Sequence, residues 1–79
     1  MSDDEVAFQI LQIFKRNEVK PEGFLRRNAF FPVRDSEFQR GINRAMANGW
    51  LRPHERDRYR YILTSTGYDT IEPVREPEY

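Results

Sequence analysis

The sequence predicts a small single domain of the α+β class, mainly helical, in which a core of three helical segments is followed by a two-stranded β-hairpin. Two stretches, 3 to 17 and 36 to 48, repeat apolar residues at helical spacing. After Gly49 the pattern changes to short extended runs rich in aromatic and β-branched residues. With 79 residues, the chain is long enough for one hydrophobic core and has no linker to a second domain.

The first helix is predicted over residues 3 to 17. Its apolar residues recur at helical spacing, at Val6, Ala7, Ile10, Leu11 and Phe14. Ser2 or Asp3 is expected to cap the helix, because acidic and hydroxyl side chains satisfy the free N–H groups of a first turn. Phe8 and Ile13 lie off the apolar stripe. They indicate either a wide buried face or a second contact surface, for which a dimer interface is one interpretation.

The segment between the two helices has two interpretations. Residues 17 to 23 contain Pro21 and Gly23 and form a break. Residues 24 to 33 fit a short strand followed by a short helix, or one irregular helix, and Pro32 ends either arrangement. A short helix somewhere in 24 to 33 is the common element of both.

A second long helix is predicted over about residues 36 to 48. Asp35 and Ser36 supply an N-cap, with Gln39 in the capping-box position three residues after Ser36. The helix is expected to end at Asn48 and Gly49, a pair that tolerates positive φ. One side of this helix is apolar and predicted to face the core, at Phe38, Ile42, Ala45 and Met46.

The remainder of the chain predicts a β-hairpin and a last helical turn. Residues 50 to 52 and 59 to 64 form the two strands, joined by the charged loop 53 to 58. Thr64 or Ser65 is expected to cap a final turn that runs through Ile71. The domain is accordingly assigned to residues 1 to 72, and residues 73 to 79 are expected to be a disordered tail.

Charge is segregated along the chain although its formal sum is zero. Residues 15 to 60 carry twelve basic side chains against six acidic ones, whereas each end has a surplus of three acids. Ten of the twelve bases are arginines, whose planar guanidinium suits phosphate oxygens and the edge of guanine. The alternative is that these arginines only keep a small domain solvated. The lack of cysteine, of a secretory signal and of a long apolar run predicts a cytoplasmic protein without a membrane span.

The side of the second long helix that is opposite its apolar side carries Arg40, Asn43, Arg44 and the small Ala47. Arginine and asparagine can each form two hydrogen bonds to one base, which distinguishes guanine and adenine in the major groove. The competing interpretation is an ordinary solvated helix face. The helix alone does not decide between them.

The order of elements, the helix ending in Asn48-Gly49-Trp50-Leu51 and the later run Tyr61-Ile62-Leu63-Thr64-Ser65-Thr66-Gly67 resemble the winged-helix family of bacterial and archaeal regulators. The resemblance covers about residues 5 to 71. It implies a helix-turn-helix protein that binds double-stranded DNA and regulates transcription, with 36 to 48 as recognition helix and 52 to 58 as wing. The DNA-binding residues that it implies are Ser36, Gln39, Arg40, Asn43, Arg44, Arg52, Arg56 and Arg58.

Two further function classes compete with DNA binding. A winged-helix domain can instead be a protein-interaction module, and fold does not decide this. An apolar docking patch or homodimer interface would draw on Phe8, Ile13, Phe30 and Phe31. The aromatic side chains Trp50, Tyr59, Tyr61 and Tyr68 could stack bases of a single strand, but their spacing favours packing in the core.

Catalysis, a cofactor and a metal are not expected. The sequence has no glycine-rich phosphate loop and no cysteine or histidine pair, which nucleophilic and metal-assisted chemistry require. His54 is the only histidine and is expected to be a surface residue of the hairpin loop.

Overall fold

The computed structural model describes residues 2 to 71. In this part of the chain, three α-helices pack with a three-stranded antiparallel sheet, and most ordered residues are helical. The elements in chain order are α1 (Asp3–Arg16), β1 (Phe24–Arg26), a 3-10 turn (Arg27–Phe30), α2 (Asp35–Ala47), β2 (Leu51–Pro53), β3 (Arg60–Leu63) and α3 (Ser65–Ile71). The predicted tail, 73 to 79, lies outside the described residues.

Helix α1 begins where the sequence predicts, and Ser2 is the residue that caps it. The Ser2 hydroxyl accepts a hydrogen bond from the Glu5 backbone N–H at 3.2 Å, and the Ser2 backbone N–H donates to the Glu5 carboxylate at 3.2 Å. This is a complete capping box. The helix ends one residue earlier than predicted, and Asn17 is its C-cap.

The sheet has one strand more than the predicted two-stranded hairpin. The additional strand is β1, which pairs antiparallel with β3, so the strand order is β1-β3-β2. Residues 24 to 33 therefore form a short strand followed by a short helix, the first of the two arrangements that the sequence allowed, and the helix is a single 3-10 turn. A strand of three residues is too short to show a period of its own, and its partner β3 lies more than thirty positions away.

Helix α2 occupies the predicted region, but its N-terminal cap differs from the prediction. The helix starts at Asp35, one residue before the predicted start, so Ser36 lies inside the first turn and Arg34 is the N-cap residue, without a side-chain hydrogen bond. Gln39 consequently forms no capping box and donates to Asn43 instead. Asn48 is the C-cap, as predicted, and Gly49 follows with a φ of 77°.

The core is centred on Phe30, which is fully buried and contacts three other rings. Its ring centroid lies 5.5 Å from Phe14, 5.4 Å from Phe38 and 5.9 Å from Tyr61. These tilted and edge-on arrangements are favourable for aromatic pairs. The predicted apolar side of α2 does face this core, with Phe38, Ile42 and Ala45 buried. Burial raises the pKa of Tyr61, although the nearby Arg27 acts in the opposite direction.

Thr64 and Gly67 hold α3 close to Trp50, in the segment that follows α2. The Thr64 hydroxyl accepts from the Gly67 backbone N–H at 3.0 Å and lies 2.9 Å from the Trp50 carbonyl oxygen, to which it can donate. A Cβ on Gly67 would overlap that same Trp50 carbonyl. The spacing Thr-x-x-Gly therefore has a structural cause, since the hydroxyl caps α3 while the glycine permits its close approach to Trp50.

Candidate nucleic-acid interface

All eight residues that are predicted from the sequence to bind DNA are exposed to solvent. Five of them lie on α2, namely Ser36, Gln39, Arg40, Asn43 and Arg44, and these share its outward side. Arg52 belongs to β2, whereas Arg56 and Arg58 lie in the loop between β2 and β3. The predicted polar face of α2 thus exists as a surface.

The arginines of α2 are not free cations, because the acidic start of α1 lies beside them. Arg44 Nε is 3.3 Å from Asp4 Oδ1, and Arg40 Nη1 is 3.7 Å from Asp3 Oδ1. Arg40 Nη2 also lies 3.9 Å from Glu37 Oε2 on the same helix. Carboxylates therefore interrupt the positive charge along the outward side of α2.

Gly41 is the residue that allows these charges to meet. A Cβ at this position would overlap Val6 Cγ1 and lie 2.8 Å from Ile10 Cδ1. The side of α2 that carries Gly41 therefore packs closely on α1. Because Asp3 and Asp4 begin α1, this approach brings their carboxylates to the arginines on either side of Gly41, Arg40 and Arg44.

The β2–β3 loop is ordered by His54 and Asp57. His54 Nδ1 accepts hydrogen bonds from the backbone N–H groups of Arg56 and Asp57, both at 3.1 Å. Asp57 in turn accepts from the Tyr59 backbone N–H at 2.9 Å. The histidine, which the sequence left as an ordinary surface residue, thus shapes the loop that presents Arg56 and Arg58.

The candidate DNA-binding arginines of β2 and of the loop differ in their pairing. Arg52 forms an ion pair with Glu22, whereas Arg56 and Arg58 have no acidic partner among residues 2 to 71. The Arg58 guanidinium lies 5.3 Å from the centroid of the Tyr59 ring. Tyr59 is 56% exposed and departs from the predicted core packing of the aromatic residues, whereas Tyr61 is buried and Trp50 and Tyr68 pack against the core.

Sequence reasoning did not single out two residues that the structure makes notable. Arg26 is exposed and has no acidic partner within the described part of the chain, and it lies on β1 two residues from Phe24. Phe24 is 44% exposed. Phe24 and Arg26 are two positions apart, and residues at that spacing lie on the same face only if the segment is a strand. The sequence could therefore indicate their shared face only after residues 24 to 26 had been recognised as a strand.

The apolar residues offered as a docking patch divide between core and surface. Ile13 and Phe30 are buried, whereas Phe8 and Phe31 are 41% and 84% exposed. Phe8 and Trp50 both line a groove along α1. Phe31 lies in the turn before α2, next to a second groove that includes Ile13.

Comparison with protein-family models, curated proteins and solved structures finds no match for this chain. Within residues 2 to 71, His, Asp and Glu form no cluster that could hold a metal ion. None of the helices in the same range has the length and apolar character needed to cross a membrane.

Proposed function

We propose that this protein is a winged helix-turn-helix protein that binds double-stranded DNA as a small transcriptional regulator. The observation that carries the proposal is the exposed polar face of α2 together with a β2–β3 loop whose Arg56 and Arg58 have no acidic partner among the described residues. In such a complex α2 would enter the major groove, while the loop, as the wing, would contact phosphates or the adjacent minor groove.

The order of elements also supports the proposal. A helix, a short strand, a turn, a second long helix and a hairpin follow one another, and the first strand pairs with the last to give the order β1-β3-β2. The 3-10 turn Arg27–Phe30 would take the place of the first helix of the helix-turn-helix. Its contact with α2 includes the ion pair between Arg27 and Asp35.

The ion pairs of Arg40 and Arg44 are compatible with DNA binding, because they are exposed and weak. The two arginine side chains are 53% and 45% exposed, and exposed pairs of this kind contribute about 0 to 1 kcal/mol. A DNA phosphate or a guanine edge could replace either carboxylate. The remaining negative charge would oppose indiscriminate binding, so affinity should depend on contacts to bases.

Selection of binding sites from a random duplex library would test the proposal. The enriched duplex and a scrambled one would then be titrated at two salt concentrations with wild type and variants. Arg40→Ala and Arg44→Ala should each lower the affinity for the enriched duplex by about tenfold. They should also reduce the ratio of this affinity to the affinity for the scrambled duplex. Arg56→Ala and Arg58→Ala should lower the affinity for both duplexes by the same factor. They should also reduce by about one the slope of the logarithm of the binding constant against the logarithm of the salt concentration.

Arg16→Ala is the matched control, since Arg16 is exposed and lacks an acidic partner within residues 2 to 71 but lies at the far end of α1. It should leave both affinities within about twofold. An unenriched library, or an Arg44→Ala variant that binds the enriched duplex as tightly as wild type does, would contradict the proposal.

The second candidate is a winged-helix module that binds another protein, including a second copy of itself. Phe31, 84% exposed, is the observation that favours it. Exposed aromatic residues are enriched where proteins associate. A chain that enriches no duplex but sediments as a dimer, and becomes monomeric on Phe31→Ser, would support this candidate over DNA binding.

A further inference from the structure

The sheet has a second face, opposite the one that packs on the helices of residues 2 to 71. Leu51, Tyr61 and Leu63 belong to the core cluster, and Leu25 packs against it. Because side chains alternate along a strand, the residues between them project to the opposite side. We call this surface the outer sheet face; its members are Phe24, Arg26, Arg52, Arg60 and Ile62, with His54 directly after β2.

Phe24 is held in place on this face while part of its ring stays open to solvent. The Arg60 guanidinium lies 4.7 Å from the ring centroid, and the His54 ring is edge-on at 6.3 Å between centroids. Ile62, directly opposite Phe24, is only 7% exposed although it lies outside the core cluster. Its neighbours on the outer sheet face therefore cover it, and Phe24 is the aromatic part of a small second apolar layer.

The arginines near the Phe24 ring are only partly neutralised by acidic side chains. Arg26 lies directly opposite Arg60 across the two strands, and like charges in that position repel each other. Arg60 Nε is 3.2 Å from Asp57 Oδ2, but Arg26 and Arg56 have no acidic partner among residues 2 to 71. An anion bound between these side chains would relieve the repulsion.

We propose that the outer sheet face binds single-stranded DNA, with one base stacked on the exposed side of Phe24 and backbone phosphates held by Arg26 and Arg56. Phe24 and Arg26 are two residues apart on one face, a spacing of about 7 Å, which suits a base and a neighbouring phosphate. A duplex keeps its bases paired and cannot stack on the ring in this way.

The choice of DNA as the occupant rests on the proposed function. Arg56 belongs to the loop that would act as the wing, and the pocket that it lines also includes Arg52 and Ile62 of the outer sheet face. A strand that leaves a duplex held by the wing would therefore reach Phe24.

Fluorescence anisotropy with a labelled oligothymidine of about eight nucleotides would test the inference. Phe24→Leu should weaken binding by about tenfold, the loss expected for one stacked base, while leucine still covers Ile62. Arg26→Ala should weaken binding several-fold and lower its salt dependence. Arg16→Ala, which removes an exposed arginine from α1, should change the affinity less than twofold. Thermal melting would confirm that each variant is folded.

A matched abasic oligonucleotide separates stacking from charge. It has the same length and phosphate charge, so wild type should bind it about tenfold more weakly than oligothymidine, and Phe24→Leu should have no further effect. Equal binding of the two ligands, an unaltered affinity in Phe24→Leu, or equal losses in Arg26→Ala and Arg16→Ala would each overturn the inference. Tighter binding of oligouridine than of oligothymidine would overturn the assignment to DNA.

The same variants distinguish this inference from the proposed function. Phe24→Leu should not alter affinity for the enriched duplex, and Arg44→Ala should not alter affinity for oligothymidine. Binding of oligothymidine that depends on Phe24, without any duplex binding, would support the single-strand site and contradict the regulator. Duplex binding without any oligothymidine binding would support the regulator and contradict the single-strand site.

Discussion

Removing the two acids at the start of α1 should strengthen DNA binding. In Asp3→Asn combined with Asp4→Asn, Arg40 and Arg44 lose partners that lie 3.7 and 3.3 Å away. Each exposed pair is worth about 0 to 1 kcal/mol, so the pairs that DNA must break cost it about 1 kcal/mol in total. Two fewer negative charges near the phosphates raise the expected gain to about 1 to 2 kcal/mol, which is about 5- to 30-fold in affinity.

The measurement is a titration of duplex DNA by fluorescence anisotropy at low and at moderate salt. The gain should shrink as salt is added, since the pairs and the repulsion are both screened. The matched control is Glu18→Gln combined with Asp69→Asn, which removes the same charge from the turn after α1 and from α3. It should improve affinity far less.

Two results would refute this reasoning. If the Asp3 and Asp4 variant bound no tighter at either salt concentration, its carboxylates would not compete with DNA for the α2 arginines. If the control gained equally, net charge rather than the position of these acids would govern binding. Thermal melting should accompany both, because acids in a first turn stabilise the helix by about 0.3 to 1 kcal/mol each.

Three further predictions concern the fold and its assembly. Gly41→Ala should lower the free energy of unfolding by about 1 to 3 kcal/mol, because its Cβ would overlap Val6 and be pressed against Ile10. Urea unfolding would measure this loss, and an unchanged midpoint would contradict the packing argument. Hydrogen bonds from Ser2 hold the pKa of Glu5 below its ordinary value. The contribution of the Glu5 carboxylate to the free energy of unfolding is therefore fully present above the pKa of Glu5 in the unfolded chain, and it is lost as the pH falls through the pKa of Glu5 in the folded protein. The stability difference between wild type and Glu5→Gln should therefore shrink as the pH falls below the ordinary glutamate pKa and disappear once Glu5 is protonated in the folded protein. A difference that did not shrink with falling pH would argue against the capping box. If α1 carries a homodimer interface, Phe8→Glu should convert the dimer to a monomer in sedimentation equilibrium, whereas a wild type that is monomeric at all concentrations would exclude that interface.

Much of the helical part of this protein was determined by local sequence. The first turn of α1 follows from Ser2 and Glu5, whose reciprocal hydrogen bonds span three residues. Likewise, the buried side of α2 follows from the period of Phe38, Ile42 and Ala45. These features were predictable because the interacting groups are neighbours in the chain.

Tertiary structure decided the electrostatics of the candidate site. Asp4 and Arg44 are forty positions apart, and only the packing of α1 on α2 at Gly41 brings them within 3.3 Å. In the same way, β1 is defined by its pairing with β3, and that pairing puts Arg26 opposite Arg60. A helical period or a capping motif indicates which side of an element is buried, but it contains no information about which distant charge will lie beside the side that is exposed.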